Sequence, residues 1–352
     1  MGATGTTRWR LAGGNSTGSQ ADAAVAGVVG SASGAPDAGG IAFGEWLDQW
    51  LELCVVRGLR ASTVASYRTM LTLYVDRPLR DRAITSVASA DLSARYSALL
   101  RGGRRDGRRG LSSRTVRYLH AILNKALADA VRAGLITLNP ATTADPPSVR
   151  ASRPPVFRVW TPAELARFLE SAEGDPLYPA FHLAATTGLR RGELLGLRWC
   201  DLDEQARELH VVQSVVEVAH QVCVTPPKTD RSRRLVSLDV RTADVLARHR
   251  AAIGRVAADG LIFCDPDRAP IHPALFSYYF QQRVKAAGVP RIRLHDLRHT
   301  HATHALKAGI HPKVVSERLG HATIAITLDT YSHVLPSLQR EAAETVAALI
   351  SL

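Results

Sequence analysis

Four short segments of this chain, far apart in sequence, carry side chains suited to phosphodiester chemistry. In Thr186-Thr-Gly-Leu-Arg-Arg-Gly-Glu193, Gly188 breaks a helix and Arg190 stands in the turn. Glu193 follows three residues later at the next helix start, where its carboxylate could hold a guanidinium by a bidentate pair. Pro227-Lys228-Thr229 places one of five lysines at a turn between two expected strands. Leu294-His295-Asp-Leu-Arg298-His299-Thr300 sets His295 and Arg298 at i and i+3, on one face of a helix start. Leu319-Gly320-His321 is followed ten residues later by Tyr331-Ser332-His333. Each segment alone has an ordinary reading as well. Arg-x-x-Glu is common as a helix-surface ion pair, and a hairpin-tip lysine is usually a solvated charge.

His295, His299, His301, His304, His311 and His321 share a 27-residue span, which raises the question of a metal. The span has neither His-Glu-x-x-His nor Cys/His ligand spacing, and no acidic cluster suits paired Mg²⁺, so no metal and no cofactor is expected. Hydrolases of the Ser-His-Asp or Gly-x-Ser-x-Gly kind find no support. Cys54, Cys200, Cys223 and Cys264 are scattered without disulfide spacing, which fits a reducing cytoplasm. No apolar run approaches the ~20 residues of a membrane span. Ala23 to Gly30 is short, glycine-broken and preceded by Asp22, so it reads as tail rather than signal peptide.

The elements that must position these residues follow from hydrophobic period. Residues 1–40, rich in Gly, Ala, Ser and Thr without period, are expected to be a disordered low-complexity tail. Phe43, Trp46, Leu47, Trp50, Leu51 and Cys54 mark one face of a helix ending near Gly58. Val64, Tyr67, Leu71 and Tyr74 mark a second, expected to stop at Pro78, and a third runs from about Ser86 to Leu100. After a loop rich in arginine, Ser112 opens a long helix closed by Gly134. These make a helical unit over 41–140, with a linker at 141–157. A second domain, 158–337, opens on the capping box Thr161-Pro-Ala-Glu164. Within it, helices are expected near 162–171, 176–187 and 191–197, then strands at 208–218, 221–225 and 234–238. Helical period returns at 240–253, 273–287, 295–308, 312–319 and 323–330. The fold class is thus mainly α with a small antiparallel β-sheet. Residues 338–352 form a tail helix with an apolar stripe of Leu338, Ala342, Val346, Leu349 and Ile350.

The chain has 352 residues, 46% of them hydrophobic, and a net charge of +12, an imbalance that favours a nucleic-acid partner. Residues 41–150 hold 17 Lys+Arg against 9 Asp+Glu, so two thirds of the surplus sits on under a third of the chain. Five of these charges, Arg101, Arg104, Arg105, Arg108 and Arg109, stand in one loop and are candidates for phosphate contacts.

In the order Arg, Lys, His-x-x-Arg, His, Tyr, the four segments resemble the tyrosine recombinases, or phage-type integrases. The resemblance spans about residues 41–340. It is specific in Thr187-Gly-Leu-Arg-Arg-Gly-Glu193, in His295-Asp-Leu-Arg-His-Thr300, and in Leu319-Gly-His-Ala-Thr-Ile-Ala-Ile-Thr-Leu-Asp-Thr-Tyr331-Ser-His333. Ser62-Thr-Val-Ala-Ser-Tyr67 and Leu135-Ile-Thr-Leu-Asn-Pro140 likewise resemble the family's core-binding domain. The resemblance implies that core-binding and catalytic domains form a C-shaped clamp on DNA. It implies that Tyr331 attacks the scissile phosphate, leaving a 3′-phosphotyrosine and a free 5′-hydroxyl, and that Arg190 and Arg298 hold the non-bridging oxygens. Lys228 would donate a proton to the leaving 5′-oxygen, His295 would act as general acid/base, and His321 would hydrogen-bond a phosphate oxygen. Glu193 would orient the cluster, and His299 would be structural. The implied partners are double-stranded DNA attachment sites, three further copies of the chain in a homo-tetramer on DNA, and accessory DNA-bending or excision factors, with no membrane. The tail would pack on a neighbouring protomer. A type IB topoisomerase shares the chemistry, but the core-binding helices and the final motif argue against it; a silent DNA-binding regulator would need the cluster broken. Two departures stand out. Where many phage integrases carry an arm-binding domain this chain has its low-complexity tail, and Arg77-Pro-Leu-Arg80-Asp-Arg82 replaces the frequent Pro-x-Leu-Gly.

Overall fold

The three-and-four spacing that begins at Phe43 produces helix α1 (Phe43–Val56), with Phe43, Trp46, Leu47, Trp50 and Leu51 all buried on one face. The protein is seen in a computed structural model that describes residues 40–104, 109–152, 157–218, 221–226, 233–331, 343–344 and 346–350. It divides into two units, Met1–Pro154 and Pro155–Leu352.

In the first unit α1 is followed by α2 (Ala61–Tyr74), the single turn α3 (Arg77–Arg80), α4 (Ser89–Gly102) and α5 (Ser113–Arg132). The Ser112 hydroxyl caps α5 by accepting the Thr115 N–H at 3.1 Å. Two indoles tie α1 to α5. Trp46 Nε1 donates to the Ala126 carbonyl at 3.0 Å, and Trp50 Nε1 donates to Asp129 Oδ2 at 2.7 Å. The second helix ends differently from expectation: it stops at Tyr74, and Pro78 lies in the first turn of α3, where a missing N–H costs no helical bond. Ala141, just past Asn139-Pro140, is buried in the same core. The backbone flanking the arginine-rich segment is paired, Arg104 N–H reaching the Arg109 carbonyl at 3.0 Å and Leu111 N–H the Leu99 carbonyl at 2.8 Å. A β-carbon on Gly103 would lie 2.6 Å from that Leu99 oxygen, so the return needs glycine.

The second unit contains α6 (Pro162–Ala172), α7 (Tyr178–Thr187), α8 (Arg191–Leu195), α9 (Val240–Ile253), α10 (Pro273–Ala286), α11 (Leu294–Lys307), α12 (Pro312–Leu319) and α13 (Ile324–Tyr331). Thr161 and Glu164 form the expected capping box at the start of α6. Trp160, Phe168, Phe181, Phe276 and Phe280 are fully buried and mutually packed. Each phenylalanine ring so buried contributes about 1.5–3 kcal/mol, enough to hold α6, α7 and α10 together as the base for α11.

The β-structure is more divided than the sequence implies. Among the described residues there are two small antiparallel sheets instead of one. The first orders β1 (Leu202–Asp203), β2 (Glu208–Val211) and β5 (Arg234–Ser237), and the second pairs β3 (Ser214–Val218) with β4 (Gln221–Thr225). The stretch 208–218 breaks because Gln213 turns its side chain to the Gly196 carbonyl at 2.8 Å and carries β3 onto α8. An alternating apolar pattern does not register such a change of partner. Consequently, among the described residues, β4 and β5 belong to different sheets and are not paired with each other. The closing register of the first sheet, Val211 opposite Arg234, places Arg234 at the sheet end beside the site. No helix among the described residues is long and apolar enough to cross a membrane.

Candidate active site

Two helices of the second unit end in left-handed glycines: α7 at Gly188 (φ 66°) and α12 at Gly320 (φ 67°). Carbonyls at a helix C-terminus lack intrahelical partners and carry the negative end of the helix dipole, so they are natural seats for guanidinium groups. Arg298 on α11 joins the two ends, donating Nη1–H to the Gly188 carbonyl at 2.9 Å and Nη2–H to that of Leu319 at 2.8 Å. Arg190, the N-cap of α8, donates Nη2–H to the Gly320 carbonyl at 2.9 Å. Burial and the neighbouring charge of Arg190 push the Arg298 pKa down to about 9, which leaves it protonated at neutral pH. Its fork has five donors, so two carbonyl bonds hold it while others can meet phosphate oxygens.

Glu193 accounts for the orientation of this pair. Its buried carboxylate accepts Arg190 Nη1–H at 2.7 Å and Arg190 backbone N–H at 2.9 Å. From the other side Arg234 reaches it with Nη2–H to Oε2 at 2.8 Å and Nη1–H to Oε1 at 3.2 Å. Burial pushes this carboxyl up, but the Arg234 and Arg190 contacts outweigh it and hold the pKa at about 2. Arg234 is missing from the sequence-derived set. No local motif marks it, since its partner lies 41 residues away.

His321 follows Gly320 and shares a hydrogen bond with the buried Thr327 hydroxyl, Nδ1 to Oγ1 at 2.7 Å. Burial, then the charges of Arg298 and Arg190, lower its pKa to about 4. Tyr331 closes α13 with its ring fully buried among Ala302, Leu306, Val315 and Leu319. Its hydroxyl lies 2.8 Å from His299 Nδ1. Burial raises the phenol to about 12 against the pull of the Arg298 charge. His299 itself stacks on Phe157 at 4.1 Å and meets the edge of His295 at 4.9 Å. Desolvation on its packed side, then the Arg298 charge, lowers the pKa of His295.

Arg190, Glu193, His295, Arg298, His321 and Tyr331 therefore gather around the ends of α7 and α12. The family resemblance implies a structural role for His299, yet it is the group on the Tyr331 hydroxyl; the signal in the sequence is its position at i+4 from His295. Lys228 lies outside the described residues, as do Arg105 and Arg108. Arg101, Arg104 and Arg109 are exposed on the first unit. Among the described residues no three His, Cys, Asp or Glu side chains converge as metal ligands.

This arrangement lies within the segment 159–337, which matches the family model described as the phage integrase family. The chain belongs to the phage integrase family. As a member it is a tyrosine-type site-specific DNA recombinase. It is 28% identical over 330 residues to a tyrosine recombinase XerC-like protein of Caldanaerobacter subterraneus subsp. tengcongensis, covering 87% of this chain and 83% of that one. It is 31% identical over 251 residues to the ICEBs1 integrase of Bacillus subtilis, covering 68% and 67%. The fold is shared with the Tn1549 transposon integrase solved with a circular intermediate DNA, at a TM-score of 0.72 and 22% identity, over 87% of this chain and 99% of that one.

Proposed function

We propose that this integrase cuts and rejoins duplex attachment sites of a phage or mobile element, with Tyr331 as nucleophile. The observation that carries this reading is the seating of Arg298 and Arg190 on the ends of two helices, with the Tyr331 phenol near enough to feel the Arg298 charge. In the forward step the Tyr331 oxygen bonds to phosphorus as the bond to the 5′-oxygen breaks. Arg190 and Arg298 face the non-bridging oxygens, where planar forks stabilise the charge that grows in the transition state. His321 supplies a further hydrogen bond to the phosphate, and His295 acts as acid/base beside it. Lys228, on the segment between β4 and β5, protonates the leaving 5′-oxygen. The phosphotyrosine conserves the ester bond for rejoining, so no nucleotide cofactor is needed.

The domain boundaries of this reading are a core-binding unit at 41–140, a linker at 141–157 and a catalytic domain at 158–337. The core-binding unit, with Arg101, Arg104, Arg105, Arg108 and Arg109, supplies phosphate contacts, and the protein acts as a homo-tetramer on DNA in the cytoplasm. Accessory bending or excision factors would set direction. The tail at 338–352, in which Val346, Leu349 and Ile350 are exposed, offers an apolar face to a neighbouring copy.

The test is a nicked suicide duplex carrying the element's own junction sequence. Wild type should trap a covalent protein–DNA adduct and Tyr331→Phe should trap none. Arg190→Ala and Arg298→Ala should each slow adduct formation by about two to three orders of magnitude while retaining most DNA affinity. An adduct that survives Tyr331→Phe would remove the nucleophile from this residue.

A further inference from the structure

We propose that His299 accepts the Tyr331 phenol proton during cleavage and returns it during rejoining, with Phe157 and His295 fixing the imidazole for that exchange. This rests on Tyr331 being the nucleophile, and it moves the proton transfer at the phenol, which the reading above leaves to His295 as acid/base, to His299. The geometry places His299 Nδ1 2.8 Å from the phenolic oxygen, within the reach a general base needs. The imidazole is held from two sides. Phe157 stacks on its face with an interplanar angle of 14°, and the His295 ring stands edge-on at 87°. Phe157 also meets the Tyr331 ring edgewise at 5.7 Å, so one aromatic side chain sets the relative position of base and nucleophile.

The charged and titratable surroundings of His299 are His295, Asp296, Arg298 and Arg293 from α11 and its N-cap, Tyr331 from α13, and His321 after α12. Burial first, then the proximity of His295, holds the imidazole neutral, with its pKa lowered to about 4, so Nδ1 can accept while Nε2 carries the proton. Transfer from the buried phenol is strongly uphill in the DNA-free protein. A phosphodiester in the site changes that balance, because its negative charge favours imidazolium and the forming O–P bond acidifies the phenol. The step is balanced. The Tyr331 O–P bond forms, the phenolic proton passes to Nδ1, the O5′–P bond breaks, and the 5′-oxygen takes its proton from the general acid assigned above to Lys228. In the reverse step the incoming 5′-hydroxyl attacks phosphorus and gives its proton back to the general acid assigned above to Lys228, the Tyr331 O–P bond breaks, and Nδ1–H reprotonates the departing phenolate.

The experiment uses the full chain and the same suicide duplex in single-turnover adduct formation. His299→Phe keeps a ring to stack on Phe157 but has no nitrogen; His299→Gln keeps a hydrogen-bond acceptor that does not take a proton. Both should form adduct about 10²–10⁴-fold more slowly than wild type. Their rates should climb roughly tenfold per pH unit between pH 6.5 and 8.5, where wild type is flat, because hydroxide must then ionise the phenol. Replacing Tyr331 by 3,5-difluorotyrosine, a more acidic phenol, should restore much of the lost rate in either variant. Rates within about threefold of wild type, or a deficit with the wild-type pH profile and no fluorotyrosine rescue, would overturn the proposal and leave Tyr331 as nucleophile. Undiminished adduct in Tyr331→Phe would instead overturn the assignment beneath it.

Discussion

At the scale of single residues the site depends on one buried carboxylate shared by two arginines. Arg234 and Glu193 have side chains only 6% and 8% exposed, so removing either leaves a charge with little access to water. Arg234→Ala should cost about 3 kcal/mol, the low end for a broken buried pair because Arg190 still holds Glu193. Urea unfolding should show that loss, and adduct formation should fall with it, because Glu193 is then held by Arg190 alone and no longer fixes that guanidinium from the far side. The histidines add a pH dependence. His299, His301 and His321 all have pKa values depressed to about 4, chiefly by burial, against an ordinary value of 6.5. The unfolded chain therefore binds protons first, so their contribution is intact above pH 6.5 and declines as pH falls from 6.5 toward 4. The thermal midpoint should drop across that window. His301→Asn, which can still donate to the Ala185 carbonyl that His301 Nδ1 meets at 3.1 Å, should flatten the decline. Arg190, His295, Arg298, His321 and Tyr331 are legible in the sequence because each sits in a compact motif. Arg234 is not, because its significance arises only when β5 is laid beside α8.

At the scale of elements, the candidate site is organised by how two helices stop. A β-carbon at Gly320 would come within 2.7 Å of Arg234 Nη1, and one at Gly188 within 2.7 Å of Leu319 Cδ2 and 2.8 Å of His301 Cδ2. Gly320→Ala and Gly188→Ala should each cost about 1–3 kcal/mol and slow cleavage, since strain at the turn displaces the carbonyls that seat the arginines. Gly309→Ala is the matched control. Gly309 has φ 78°, and a β-carbon there would meet nothing within 4 Å, so the change should lower the thermal midpoint but leave adduct formation intact. Equal loss of cleavage in all three would mean that backbone strain alone, and not the position of the arginines, governs activity. Helix starts such as Ser112 and Thr161, and ends such as Gly134 and Gly188, can be read directly because caps and left-handed glycines are local devices. The sheet division at residues 212–213 cannot. It is set by the packing of β3 against α8, a tertiary contact with no signature in alternation.

For the molecule as a whole, the net charge of +12 becomes informative only when the acidic partners are located. In the first unit Arg57, Arg68, Arg77, Arg80, Arg82 and Arg95 are each matched to a carboxylate within the unit. In sequence the segment 101–110 holds five arginines and one acidic residue, Asp106, so much of the surplus is concentrated there. If those charges meet phosphates, each contact releases counterions, and log affinity falls with log salt by about 0.9 per contact. The triple variant Arg101→Gln, Arg104→Gln, Arg109→Gln should therefore bind every duplex more weakly, with a salt slope shallower by up to about 2.7. Its ratio of specific to non-specific affinity should be nearly unchanged, because phosphate contacts carry no sequence information. At saturating DNA its cleavage rate should equal wild type, since the groups to which the proposal gives the reaction all belong to the second unit. A slope that stays the same while specificity falls would assign the loop to base edges instead, and the clamping surplus would then have to reside on α5, where Arg114, Arg117 and Lys125 are the next charges to neutralise.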